Sequence, residues 1–299
     1  MLVLRSSSIA ALGAGLAFTA SSVGAQSIER DRGAHAQFLA LNVAIGATAS
    51  VARAMASGAP LRQTLKKGLV GGSLMSAGME LVGAQSSAAR FAGLQVTAVG
   101  ASVVRNADSG AHMFSDVTLP LYPFYVRLRP GSDAPVTARV SAGSVFRLAT
   151  VMTQGRRPSM DWRATLATGA PVMRSPRWRL PSASCPWPCE GSFAQHNAGV
   201  IVYSSSAGTD YDLSRTLAHE SLHLAQQTRD ALLDAIPASD AGLARIGPVG
   251  RSLSRFVVVD FVMPLRLVDE GEAWVRGAPR RDSWYEREAR AFAPGGERR

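Results

Sequence analysis

The chain has 299 residues, 46% hydrophobic and 18% charged, which excludes a disordered or highly charged polypeptide and allows one large or two modest domains with real cores. The net charge is +10 and the basic residues are arginines apart from Lys66 and Lys67. The arginines are scattered and not interleaved with aromatics, and no nucleic-acid-binding motif occurs, so nucleic acid is not an expected partner.

In chain order, residues 1–25 read as an export signal. Arg5 is the lone charge, Ile9 to Ala20 is a short apolar core, and Val23-Gly24-Ala25 supplies small residues before a cut. The expected location is therefore the periplasm or cell envelope. Residues 36–108 form a Gly/Ala-rich region whose small residues recur three or four apart, as in Gly68-Leu69-Val70-Gly71-Gly72 and Gly93 to Gly100. That spacing lets helix backbones approach closely, and it predicts two or three close-packed helices. Each apolar run is shorter than a typical span. The helices then lie either against the rest of the protein or in a membrane, so membrane association through 36–108 stays open.

Residues 109–206 change texture. Val117–Leu128, Val136–Thr150, Trp162–Leu166 and Val200–Ser204 are β-branched or aromatic-rich runs broken by Pro130-Gly131-Ser132, Gly155 and Pro158. They predict an antiparallel sheet. The only two cysteines, Cys185 and Cys189, fall in a Pro-rich loop of this region. In an exported protein, thiols this close are expected to form a local disulfide.

Residues 207–299 carry the chemistry. Thr216-Leu217-Ala218-His219-Glu220-Ser221-Leu222-His223 contains H-E-x-x-H. Asp210 or Asp212 can cap its helix, and Leu213, Leu217, Leu224 and Ala225 supply an apolar stripe. On a helix, His219 and His223 lie one turn apart on one face and can share a tetrahedral metal, most often zinc. Glu220 points about 100° round from His219, beside the position a water would take, and suits a general base. The later run Arg255–Met263 is a buried segment of undecided type. No Ser-centred elbow, phosphate-binding Gly loop or dinucleotide fingerprint occurs.

With a glutamate on a later helix, this motif resembles the gluzincin zinc peptidases. Glu286-Arg287-Glu288-Ala289 resembles the E-x-x-A element of the CAAX-type membrane peptidases, in which the first glutamate binds zinc. Glu270-Gly271-Glu272-Ala273 resembles the E-G-x-A element of the thermolysin-related aminopeptidases, in which the first glutamate is again the ligand. The layout is also similar to an exported bacterial family of unknown function. These resemblances imply an α+β fold: a Gly/Ala-rich helical region, a β region and a zincin-like helical catalytic region. They imply zinc held by His219, His223 and Glu286, with Glu270 as the alternative third ligand, and Glu220 as catalytic base acting on a peptide or protein substrate. Ser283-Trp284-Tyr285-Glu286 is also a capping box, which would turn Glu286 to backbone instead. The resemblance further implies that an edge strand beside the helix binds substrate backbone, and element order puts Val200–Tyr203 there. Two departures stand out. The CAAX-type aspartate after E-x-x-A is replaced by Arg290, and no oxyanion donor can be assigned. Both favour the alternative of an envelope-associated structural or binding protein with a non-catalytic metal site.

Overall fold

The computed structural model describes residues 32–84, 86–107, 112–153, 158–175, 194–197, 199–204, 213–260 and 284–293. The expected signal segment 1–25, the Cys185/Cys189 pair and Glu270 lie outside the described residues.

The Gly/Ala-rich region folds as three helices: α1 (Arg32–Ser57), α2 (Leu61–Val82) and α3 (Ser87–Arg105). The central one, α2, lies against both neighbours. Its glycines set how close they come. A Cβ built on Gly72 would stand 2.6 Å from the Val43 Cα of α1, and one on Gly71 would stand 2.6 Å from the Gly100 carbonyl of α3. Neither side of α2 accepts even a methyl group there without backbone movement. The helix α1 is longer than its uncharged run suggests, because it continues through Arg53. Gly33–Met55 is long and apolar enough to cross a membrane by length and composition.

The β region corrects the expectation of one antiparallel sheet. Two mixed four-stranded sheets form instead, with helices between their strands. The first has the order β1 (Val117–Leu121), β2 (Phe124–Leu128), β3 (Val136–Ser141), β8 (Val257–Val258), and its β3–β8 pair is parallel. The second has the order β4 (Ser159–Met160), β5 (Val172–Ser175), β7 (Val200–Ser204), β6 (Ala194–Asn197), and its β5–β7 pair is parallel. The run Val136–Thr150 divides at Ser141 into β3 and α4 (Ala142–Thr153). Trp162–Leu166 lies in α5 (Trp162–Thr168), where the Asp161 side chain caps the start by accepting from the Ala164 N–H at 3.0 Å. Capping overrides the β propensity of these runs, with the Ser141 hydroxyl accepting from the Ser144 N–H at 3.0 Å at the start of α4. The run from Arg255 resolves into β8 and the buried Asp260.

The edge strand is corrected as well. β7 is internal and buried along its length, while β6, beside it, is one of the two outer strands among the described residues. β6 packs against the H-E-x-x-H helix α6 (Leu213–Asp230). A π-helical turn, Ala231–Ala235, follows α6 and leads into α7 (Ile236–Arg245) and α8 (Pro248–Leu253). The last described helix, α9 (Trp284–Phe292), packs back on α6, α1 and α2. The overall class is α+β. One core joins all three sequence regions: Met75, Met79 and Ala98 from the Gly/Ala-rich helices, Tyr122 and Tyr125 from the β region, and Leu222, Ala289 and Phe292 from α6 and α9.

Candidate metal centre

The amphipathic pattern of α6 buries it from Thr216 to Asp230, including every polar residue of that stretch. Such burial is costly unless each polar group is bonded. The side chains of its C-terminal half meet this demand by anchoring the helix in several directions. Gln227 Oε1 accepts the Gly199 N–H at 3.0 Å, just before β7. Gly199 has φ of +76°, and a side chain there would strike the Tyr122 ring. The Thr228 hydroxyl lies 3.1 Å from the Tyr122 hydroxyl. That group bonds Tyr125, which donates to Asp260 at 2.9 Å.

Arg229 and Asp230 bind α9. Arg229 Nε donates to Asp230 at 2.9 Å, and its Nη1 donates to both oxygens of Glu288 at 3.0 and 3.2 Å. Its guanidinium also covers the Trp284 ring. The Tyr285 hydroxyl donates to Asp230. Asn42, on α1, completes the group by donating to Glu288 at 2.8 Å and accepting from Arg229 at 2.8 Å. Burial alone would lower the Arg229 pKa, but the charges of Asp230 and Glu288 outweigh it and hold the guanidinium firmly ionised. Thus α1, α6 and α9 are tied at one buried cluster. His35 adds a second tie from α1, with Nδ1 3.2 Å from the Ala291 carbonyl and Nε2 3.2 Å from Glu80.

The tie sets Glu286 against the H-E-x-x-H face. Glu286 Oε2 is 3.3 Å from His219 Nε2, and Oε1 is 3.2 Å from His223 Nε2. The Glu286 carboxylate is therefore turned to the histidines; Ser283, its partner in the capping-box reading, lies outside the described residues. Burial works against ionisation of Glu286. The hydrogen bonds from both histidines and their charge prevail and hold the carboxyl well below the usual carboxylate range.

The donor set suits a metal ion, and the reason lies in Gln226. Its Nε2 donates to the Tyr285 carbonyl and to Glu288 Oε2, both at 2.9 Å, which uses both amide hydrogens. The remaining Oε1 faces His223 Nδ1 at 2.8 Å and can only accept, so Nδ1 carries the hydrogen. His223 Nε2 is then the atom that faces the Glu286 oxygen, at 3.2 Å. A contact of that length needs a positive centre between the two atoms, which the imidazolium hydrogen supplies and a metal ion can replace. The ligand atoms of His219, His223 and Glu286 lie within 4.8 Å of one another. A tetrahedral ion with bonds of about 2.0–2.1 Å separates its ligands by about 3.3–3.5 Å. This group can hold a metal ion.

Glu220 lies on the same helix and is 8% exposed, a buried carboxylate one position after His219. The sequence did not point to the support around the histidines. The resemblance expected an orienting aspartate at the position of Arg290, whose Nε instead bonds the Glu286 carbonyl at 3.2 Å. Gln226 supports His223 instead, backed by Glu288, Arg229 and Asn42. The available signals were Gln226 three residues after His223, and Asn42 as one of two amides, with Gln37, in the uncharged run of α1.

Comparison of the chain with models of protein families, with curated proteins and with solved structures finds no match.

Proposed function

We propose that the protein is a zinc-dependent hydrolase, most simply a peptidase, of the cell envelope. The observation that carries this reading is the convergence of Nε2 of His219, Nε2 of His223 and the Glu286 carboxylate, with the His223 tautomer fixed by Gln226. Two neutral imidazoles and one carboxylate form a three-donor set that leaves a fourth position open, the arrangement of catalytic and not of structural zinc. Zinc bound there would supply a Lewis acid that polarises a carbonyl and acidifies a water.

The chain's own residues supply the rest. Glu220 accepts the proton of the attacking water and returns it to the departing amine nitrogen, so the amide C–N bond breaks as the C–O bond forms. A metal held only for structure has no need of a buried carboxylate next to a ligand histidine. The strand β6, which is outermost at its end of the sheet among the described residues and packs beside α6, is where an extended peptide backbone would add. That favours a peptide or protein substrate over a small ester.

The test is hydrolysis of a peptide library by the wild-type chain and by Glu220→Gln, with zinc content measured on both. The reading expects the variant to keep its zinc and lose turnover by about 100-fold or more. Equal hydrolysis by the two proteins would refute the role of Glu220. Absence of turnover in both, with zinc present, would favour a non-catalytic metal site.

A further inference from the structure

The two faces of the β1–β2–β3 sheet differ. Strand alternation gives one of them Tyr125, Arg139 and Ser141, all buried. On the other face the register aligns rows of apolar side chains. Leu121 stands opposite Phe124, and Phe124 opposite Val140. Val140 is paired in turn with Val257 of β8. A second row holds Leu119, Val126 and Ala138. None of the residues in these two rows is buried, and Leu121, Phe124 and Ala138 are exposed.

The apolar surface continues into the segment that leads to β8. The Phe256 carbonyl accepts the Val140 N–H at 2.7 Å, and Phe256 is 67% exposed. Ahead of it Ile246, Val249 and Leu253 recur three and four residues apart, on α8 and the turn before it. Val249 is 77% exposed and Ile246 69%. Packing of α8 on α7 runs through Gly250, where a Cβ would stand 1.9 Å from the Leu243 carbonyl. The apolar side chains are left facing solvent, and monomeric soluble proteins rarely expose so continuous an apolar surface. The segment is also basic. Residues 241–259 contain Arg245, Arg251 and Arg255 and no acidic residue, and all three arginines are exposed.

We infer that this face docks on the surface of an anionic lipid bilayer. The charge of the segment selects among occupants. A second copy would set its own arginines against these across a two-fold contact, between chains that each carry a net charge of +10. A protein partner is held by polar groups matched around the rim, and here the charged side chains of the segment are arginines alone. An anionic bilayer needs no matched shape. It takes apolar side chains into the acyl boundary and draws guanidinium groups to its headgroups. Phe124, Val249, Leu253 and Phe256 supply the first, and Arg245, Arg251 and Arg255 the second. None of these side chains belongs to the His219–His223–Glu286 group, so this inference stands apart from the proposed hydrolase.

The experiment uses the full chain and two double variants, Val249→Ser with Phe256→Ser and Arg251→Gln with Arg255→Gln. Flotation measures binding to vesicles of phosphatidylcholine alone and of phosphatidylcholine mixed with phosphatidylglycerol. The wild type is expected to bind the phosphatidylglycerol vesicles, and to bind them less as salt is raised. The apolar double variant should lose about tenfold or more in binding. The arginine double variant should lose about tenfold and most of the salt dependence. Both should melt as the wild type does, because all four side chains are exposed. Wild-type binding to neither kind of vesicle overturns the inference, as does equal binding to both kinds or equal binding by the variants. A wild-type dimer in analytical ultracentrifugation that the apolar variant abolishes, without vesicle binding, would put a second copy on this face instead.

Discussion

Gln226 Oε1 accepts a hydrogen bond from His223 Nδ1 at 2.8 Å, while the other end of the same amide is held by Glu288 and the Tyr285 carbonyl. One side chain thus joins the histidine pair to the buried Arg229–Glu288–Asn42 cluster. It transmits the placement of α9 and α1 to the face that carries the proposed ligands.

Replacing Gln226 by alanine frees the His223 ring and its tautomer. Loss of such an orienting partner typically costs about 10–100-fold in metal affinity. Competition with a chromogenic chelator should show zinc affinity falling by that factor, with the histidines and Glu286 intact. Unchanged affinity would remove Gln226 from the account of the site.

Arg229 is buried between Asp230 and Glu288. The change Arg229→Met leaves both carboxylates without their cation. Breaking a buried pair in this way typically costs about 3–5 kcal/mol. Urea denaturation should report a loss of that order. A loss under about 1 kcal/mol would mean that the cluster contributes little to holding α9.

The sequence made the H-E-x-x-H helix legible because its spacing is helical and its chemistry local. It also showed the close-packed Gly/Ala-rich helices, whose small residues recur at the contact period. The sheets were not legible. β8 joins β3 from more than a hundred residues away, and no local pattern encodes such a pairing. Trp162–Leu166 shows the same limit: its aromatic and β-branched residues suit a strand, but Asp161 caps it into a helix. The support of the site also escaped the sequence. Asn42, Arg229 and Glu288 are remote in the chain and meet only after α1 and α9 have docked on α6.

The close approach of α2 to its neighbours can be tested directly. Leucine at Gly71, Gly72 and Gly78 together would drive side chains into the backbones of α1 and α3. Overpacking costs about 1–3 kcal/mol at a single site, and three sites should prevent cooperative folding. A wild-type melting curve for the triple variant would show that the helices do not pack this way.

Asp116 provides a pH prediction. Burial raises its pKa, but the Arg127 hydrogen bonds and the charges of Arg105 and Arg127 outweigh this and bring it below the ordinary value. A carboxyl depressed by folding stabilises the protein fully above its unfolded pKa, about 4. That contribution is lost as the pH falls through the folded value. The stability difference between wild type and Asp116→Asn should therefore be constant at neutral pH and shrink below about pH 4. A difference that grows on acidification would contradict the sign assigned here.

The most direct measurement is zinc stoichiometry, by elemental analysis of the purified wild type, Glu286→Ala and Glu270→Ala, with folding of each checked by circular dichroism. The account predicts one zinc per chain in the wild type, a folded but empty Glu286→Ala and a fully loaded Glu270→Ala. A folded and loaded Glu286→Ala beside a folded and empty Glu270→Ala would contradict it, as would a wild-type chain that takes up no zinc.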